Sequence, residues 1–337
     1  MAVLLVLVTP VVALAASLTV IYAIRFLDVI EREQKRMILL ALLIGSLTVI
    51  PVLALSGATR TFWLGIASGD QSLASSLSTV IGAPVSEELA KGIGLLVLFR
   101  AGRHKFDSLT DYIVYGCAIG IGFELIENIL YQWAALADSQ PVASWLDEFN
   151  ARMLASAGSH AFFSAWLGVA LWFWNQGRGW AGAAWAAGAA SLSVLLHAAN
   201  NLAAVLTQLG SGDTVTPLNR LGTSLAVIGD QISLALFVGL IGVAVLRDAG
   251  CLSQFGSEIQ CRLMAQSSEI DQARRLAVVH DLTNPFNHLF SRSSGPRSCY
   301  RRFSRWALAA ARTPADSRWR NHLVDEGVDL VLSVSNS

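Results

Sequence analysis

Apolar residues in this chain gather into runs of about twenty rather than alternating with polar ones. Seven such runs, over roughly 2–24, 37–56, 79–99, 111–136, 152–175, 180–207 and 223–246, are long enough to cross a bilayer core as helices. The pattern predicts an all-α, polytopic membrane bundle of about seven transmembrane helices over residues 1–247. The first run lacks the basic segment of a secretory signal and reads as a retained helix. After Arg247 the pattern changes. Residues 248–337 are polar and Arg-rich, with Arg292, Arg301, Arg302, Arg305, Arg312, Arg318 and Arg320, and read as a cytosolic tail, partly disordered. Within that tail Tyr300–Leu308 has the spacing of a short amphipathic helix that lies on anionic lipid, although a solvated tail is the plainer reading.

Basic residues in the short connections set an expected orientation, because Lys and Arg are retained on the cytoplasmic side. The first connection holds Arg25, Arg32, Lys35 and Arg36, the third Arg100, Arg103 and Lys105, and the fifth Arg178. The second, fourth and sixth are poorer in bases, and the last two carry Asp138, Asp147, Glu148 and Asp213. The N-terminus is therefore expected outside and the C-terminus in the cytoplasm, as for an integral protein of a bacterial plasma membrane.

Composition excludes a soluble enzyme: 54% of the 337 residues are hydrophobic and 14% charged, against about 25% charged in soluble domains. Twenty-four basic residues balance twenty-four acidic ones, which gives no reason to expect nucleic acid as a partner. The four cysteines are scattered, without a C-x-x-C pair, so neither disulfide chemistry nor a cysteine-built zinc site is expected.

Against this apolar background a few ionisable residues stand inside the runs, where each costs at least roughly 2.5–3.5 kcal/mol unless it faces a cavity or a partner. The third run holds Glu87, Glu88 and Lys91; the fourth holds Glu124, Glu127 and Asn128; the fifth contributes His160 and the sixth His197 and Asn201. Spacings of three and four put the groups of each run on one helix face. Counted from the outer ends, Glu87, Glu127, His160 and His197 lie at similar depths, roughly 12–15 Å at 1.5 Å per residue. Asp230 stands alone in the seventh run. Imidazoles with carboxylate and amide oxygens suit a divalent metal such as zinc, with His160, His197 and Glu88 as ligands, and a metal or a glutamate base can activate water for attack on a peptide carbonyl. The same acids also suit a proton- or cation-coupled transporter.

The motifs E-E-x-x-K at 87–91, F-E-x-x-E-N at 123–128, His160 followed by Phe162 and Phe163, and H-x-x-x-N at 197–201 resemble the PrsW family of bacterial intramembrane proteases. That family is similar in motif logic to the type II CAAX prenyl endopeptidases and bacteriocin-processing proteins. The resemblance covers about residues 79–207. It implies an intramembrane endopeptidase acting on membrane-associated protein substrates, anti-sigma factors among them, or a non-catalytic relative that holds a client in the cavity. It matches Glu87 and Glu88 to the paired glutamates, Glu124 and Glu127 to the second acidic motif, and His160 and His197 to the later histidines. Asn201 completes or orients the site.

Overall fold

The structure is a computed structural model that describes residues 2–28, 30, 33–177, 179–209, 216–265, 269–284, 294–313 and 317–335. Arg32, Arg178, Asp213 and Arg292 lie outside them. Among the described residues every regular element is helical. The α-helices are α1 (Ala2–Leu27), α2 (Lys35–Leu47), α3 (Val49–Ile66), α4 (Gln71–Leu77), α5 (Ala83–Ala101), α6 (Leu109–Ala135), α7 (Pro141–Glu148), α8 (Ser159–Asn175), α9 (Gly179–Leu209), α10 (Pro217–Met264), α11 (Glu269–Thr283), α12 (Ser294–Ala311) and α13 (Arg318–Ser335). Two π-helical turns, Ser78–Gly82 and Phe149–Ala155, join α4 to α5 and follow α7.

Five stretches are long and apolar enough to cross a membrane: Val3–Phe26, Lys35–Ile66, Leu109–Ala135, Gly179–Leu209 and Pro217–Met264. A sixth is the pair Pro141–Ala155 and Ser159–Asn175, bent by 41°. The run expected at 79–99 is α5, whose Glu87, Glu88, Lys91 and Arg100 keep it outside that apolar set. Large apolar side chains on the outer faces of these helices are exposed, among them Leu7, Leu43, Ile50, Leu89 and Ile93. Such a surface belongs in lipid. The chain is an integral membrane protein built as a helical bundle.

The chain divides into two compact units. The first comprises Met1–Arg25, Gln34–Arg103 and Tyr112–Gly239. Its centre is α6, where Tyr112, Val114, Tyr115, Cys117 and Ala118 are wholly buried. Close backbone approach explains the small residues there. A Cβ added at Gly120 would stand 2.2 Å from the His160 carbonyl oxygen of α8, and one at Gly122 would stand 2.1 Å from that of Leu42 in α2. The indole of Trp145 donates to Thr9 Oγ1 at 2.9 Å and so ties α7 to α1.

The second unit comprises Phe26–Glu33, His104–Asp111 and Leu240–Ser337. Where the sequence presents a polar, Arg-rich tail, the described residues pack around Leu252, Phe255, Ile259, Val279, Leu282, Phe303, Leu323 and Val331, with Ile30 from the α1–α2 connection. Thr110 Oγ1 donates to the buried Asp248 carboxylate at 2.6 Å, and Arg320 pairs with Glu258. The amphipathic stretch at 300–308 forms part of α12, but its apolar face is already used: Phe303, Ala307 and Leu308 are buried inside this unit. That apolar face is turned to the unit's own interior.

Candidate active site

The π turn at Ser78–Gly82 feeds straight into α5, whose Ala83 N–H reaches back to the Ser78 carbonyl, and Pro84 follows at a position where the helix has no N–H to donate. Three and four residues then bring Glu88 and Glu87 onto the side of Lys91. The Lys91 ammonium, wholly buried, lies 2.8 Å from Glu88 Oε1 and 3.6 Å from Glu87 Oε2. It lies 2.7 Å from His160 Nδ1 and 4.1 Å from the centre of the Phe123 ring. A buried cation is tolerated only when paired and hydrogen-bonded in this way.

His160 enters the site through a break in the chain. After the π turn Phe149–Ala155, Gly158 adopts φ 82°, a left-handed conformation that favours glycine, and α8 starts at once. The Gly158 N–H donates to Glu124 Oε1 at 2.9 Å, which fixes the break against α6. An ammonium only donates, so His160 Nδ1 accepts from Lys91 and Nε2–H donates to Glu127 Oε2 at 2.9 Å. In α9, His197 Nδ1–H donates to Glu88 Oε1 at 3.0 Å. Its Nε2 lone pair therefore remains available, 3.8 Å from Glu87 Oε2. The His197 ring stacks on Phe163 with centroids 5.0 Å apart, and the two imidazoles meet edge to face at 4.9 Å.

His197 is thus held by a carboxylate through Nδ1 with Nε2 open, the arrangement that orients an imidazole as a metal ligand; His160 is held by Glu127 through Nε2, but its Nδ1 lone pair faces the Lys91 ammonium and meets a metal only if that ammonium withdraws. Glu87, His160 and His197 each bring a ligand atom to within 4.8 Å of the others. Glu87 Oε2 is buried without a hydrogen-bond partner. With Lys91 drawn off His160 Nδ1, two nitrogens and one carboxylate oxygen form the donor set of a catalytic zinc site, and the residue types fit a divalent metal. The set read from the sequence was His160, His197 and Glu88; the structure gathers Glu87 with the two histidines instead. Glu88 is only 1% exposed, and its Oε2 lies 2.8 Å from Ser193 Oγ and 3.4 Å from Ser164 Oγ.

A cavity of about 360 Å³ opens beside this group, lined by Glu87, Glu124, Glu127, His160, His197 and Asn201 among others. Glu88 is absent from its wall. Glu124 keeps Oε2 buried and without a hydrogen-bond partner. Asn201 Nδ2 donates to the Thr79 carbonyl at 2.9 Å, which holds α9 against the first π turn.

Two participants escaped the sequence reading. Arg152 lies 3.3 Å from Glu127 Oε2 and 3.1 Å from Glu148 Oε2, and packs on the Tyr131 ring at 3.4 Å. Its signal was a basic residue four positions after an acid, at the edge of an apolar run. Ser193 is also 2.8 Å from the Phe163 carbonyl, so its single proton serves that oxygen or Glu88. A serine in an Ala-rich helix carries no signal.

The profile of the PrsW family intramembrane metalloprotease matches residues 33–229, more than half of the chain and every site residue named above. Protease PrsW of Geobacillus kaustophilus (strain HTA426) is 28% identical over 142 residues, 42% of this chain and 55% of the relative. The chain therefore spans about half the length of that curated relative. No solved structure matches it.

Proposed function

The chain belongs to the PrsW family of intramembrane metalloproteases, and from that premise we propose that it is an endopeptidase hydrolysing peptide bonds of membrane-associated proteins within its polar cavity. The observation that carries the reading is the gathering of Glu87, His160 and His197 at the wall of a polar chamber of about 360 Å³ inside an apolar bundle. Peptide hydrolysis at membrane depth needs such a chamber, because lipid supplies no water.

In this reading Glu87, His160 and His197 hold a divalent ion such as zinc, which when bound polarises a carbonyl and acidifies water. Glu88 and Glu127 are positioning residues that fix the tautomers of His197 and His160. Glu124, with one oxygen held by Gly158 and the other unpartnered, takes the proton of the attacking water and returns it to the leaving amine. Water oxygen bonds to the peptide carbon as the C–N bond breaks, so the atoms balance. Asn201 stands on the cavity wall, where its amide can meet the substrate backbone.

Seven spans follow if α5 crosses with the five apolar stretches and the bent pair, its charges being those of the site. The excess of bases in the first and third connections favours the N-terminus outside and the C-terminus in the cytoplasm.

The test compares membrane-protein termini from cells carrying the wild-type chain with those from cells carrying Glu87→Gln/Glu88→Gln at equal abundance. Termini present only with the wild type are expected. No difference under resting or envelope-stress conditions would overturn the reading and move attention to ion flux through the same acids.

A further inference from the structure

Between Leu221 and Leu246 the sequence of α10 contains a single ionisable residue, Asp230. It is partly buried and lines the same cavity as the catalytic group. Ala226, four residues earlier on the same helix face, lines the cavity too, and its small side chain leaves room before the acid. Val227, Ile228 and Ile232 on the other faces are exposed as lipid-facing residues are. Among the described residues Asp230 has no hydrogen-bond or ion-pair partner.

A carboxylate left unpaired at membrane depth costs roughly 2.5–3.5 kcal/mol, which an apolar residue would avoid. Nothing in the resting site recovers that cost. The metal-ligand group does not include Asp230, and the Arg152 guanidinium that shares the cavity is committed to Glu127 and Glu148. On the wall Glu127 and Glu148 meet the Arg152 guanidinium and Glu87 meets the Lys91 ammonium and the ion of the reading above, whereas Asp230 is left without a counter-charge. An excess of negative charge in a low-dielectric cleft draws in a cation. The metal of the reading above answers the Glu87 group, which does not include Asp230; in a chamber that must also admit a peptide, a cation for Asp230 can come on the peptide.

We infer that Asp230 is a specificity-determining residue that receives a Lys or Arg side chain of the substrate near the scissile bond, an assignment that rests on the protease reading above. The ion pair forms only when the right side chain enters. A substrate with a neutral residue at that position leaves the acid unpaired, and one with an acid meets repulsion, so both are rejected.

The experiment is the same mapping of membrane-protein termini, extended at equal abundance to the wild type, Glu87→Gln, Asp230→Asn and Asp230→Lys. Wild-type cleavage sites are expected to share a Lys or Arg at one fixed offset from the cut. Asp230→Asn should lower the ratio of cleavage at basic to neutral sites by about tenfold or more, as loss of one partner of a desolvated charge pair does. Asp230→Lys should shift the preference to Asp or Glu, and if that variant does not accumulate the Asn variant decides alone. Cleavage sites without a shared basic position, or an Asn variant that lowers all cleavage in proportion, would overturn the assignment and leave the protease reading standing. No difference between the wild type and Glu87→Gln would overturn both.

Discussion

Both oxygens of Glu88 are engaged inside the bundle, Oε1 by Lys91 and His197 and Oε2 by Ser193, whereas Glu124 keeps one oxygen unpartnered. The two acids should therefore fail differently. Glu88→Ala frees His197 to turn, and the purified protein should lose metal affinity by about 10–100-fold, read as zinc content after dialysis against a graded chelator. Glu124→Gln should keep the metal and lose about 10²–10⁴ in kcat, measured on a substrate found by the termini mapping. Equal metal loss in both variants would remove the distinction. That the polar groups of four runs come close together was legible in the sequence, since the spacing puts those of each run on one helix face. Which of Glu87 and Glu88 joins the histidines was not, because neighbours on a helix differ by about 100° in direction and no spacing rule fixes the rotation of α5. Arg152 was hidden for another reason: at the end of an apolar run an arginine is an ordinary interfacial residue.

At the scale of elements, the site depends on how closely α6 approaches α2 and α8. Gly120 lies against the backbone of His160 itself, where an added Cβ has 2.2 Å to the carbonyl oxygen. Backbone cannot swing aside as a side chain does, so Gly120→Ala should cost about 1–3 kcal/mol and lower the thermal midpoint in detergent. Gly188, in α9, has nothing within 4 Å of its added Cβ, and Gly188→Ala should leave that midpoint unchanged or slightly raised. A similar fall in both would deny that the close approach at Gly120 is the cause. The small-residue run on α6 announced such an approach in the sequence. The break before α8 did not announce itself, because residues 152–175 read as one continuous apolar run. Hydropathy does not register a π turn followed by one left-handed glycine.

For the whole molecule, the bilayer assignment makes two further demands. In a cysteine-free background, Ser139→Cys between α6 and α7 should react with a membrane-impermeant maleimide from outside intact cells, and His104→Cys between α5 and α6 only after permeabilisation. The reverse pattern would invert the proposed orientation. In the second unit, Phe303 is wholly buried against Phe255, with ring centroids 5.3 Å apart. Phe303→Ala should cost about 3–5 kcal/mol there and open residues 248–335 to limited proteolysis that the wild type resists; equal resistance would deny that core. This core was illegible in the sequence for a physical reason. Its apolar residues come from the end of α10, from α11, α12 and α13, and from Ile30, and no one of these segments is apolar for long.

The ion pair between Glu88 and Lys91 lies within one helix, and this matters before the protein is finished. When α5 emerges from the ribosome, the imidazoles that later surround it have not been synthesised. A segment bearing Glu87, Glu88 and Lys91 as three separate charges would resist partition into lipid; with two of them joined it carries one uncompensated charge. If α5 crosses the membrane as proposed, the pair beside His197 also lowers the charge that the nascent helix must carry into lipid. Lys91→Met should for that reason reduce how much protein reaches the membrane, and its abundance there is the quantity to count before any rate is interpreted.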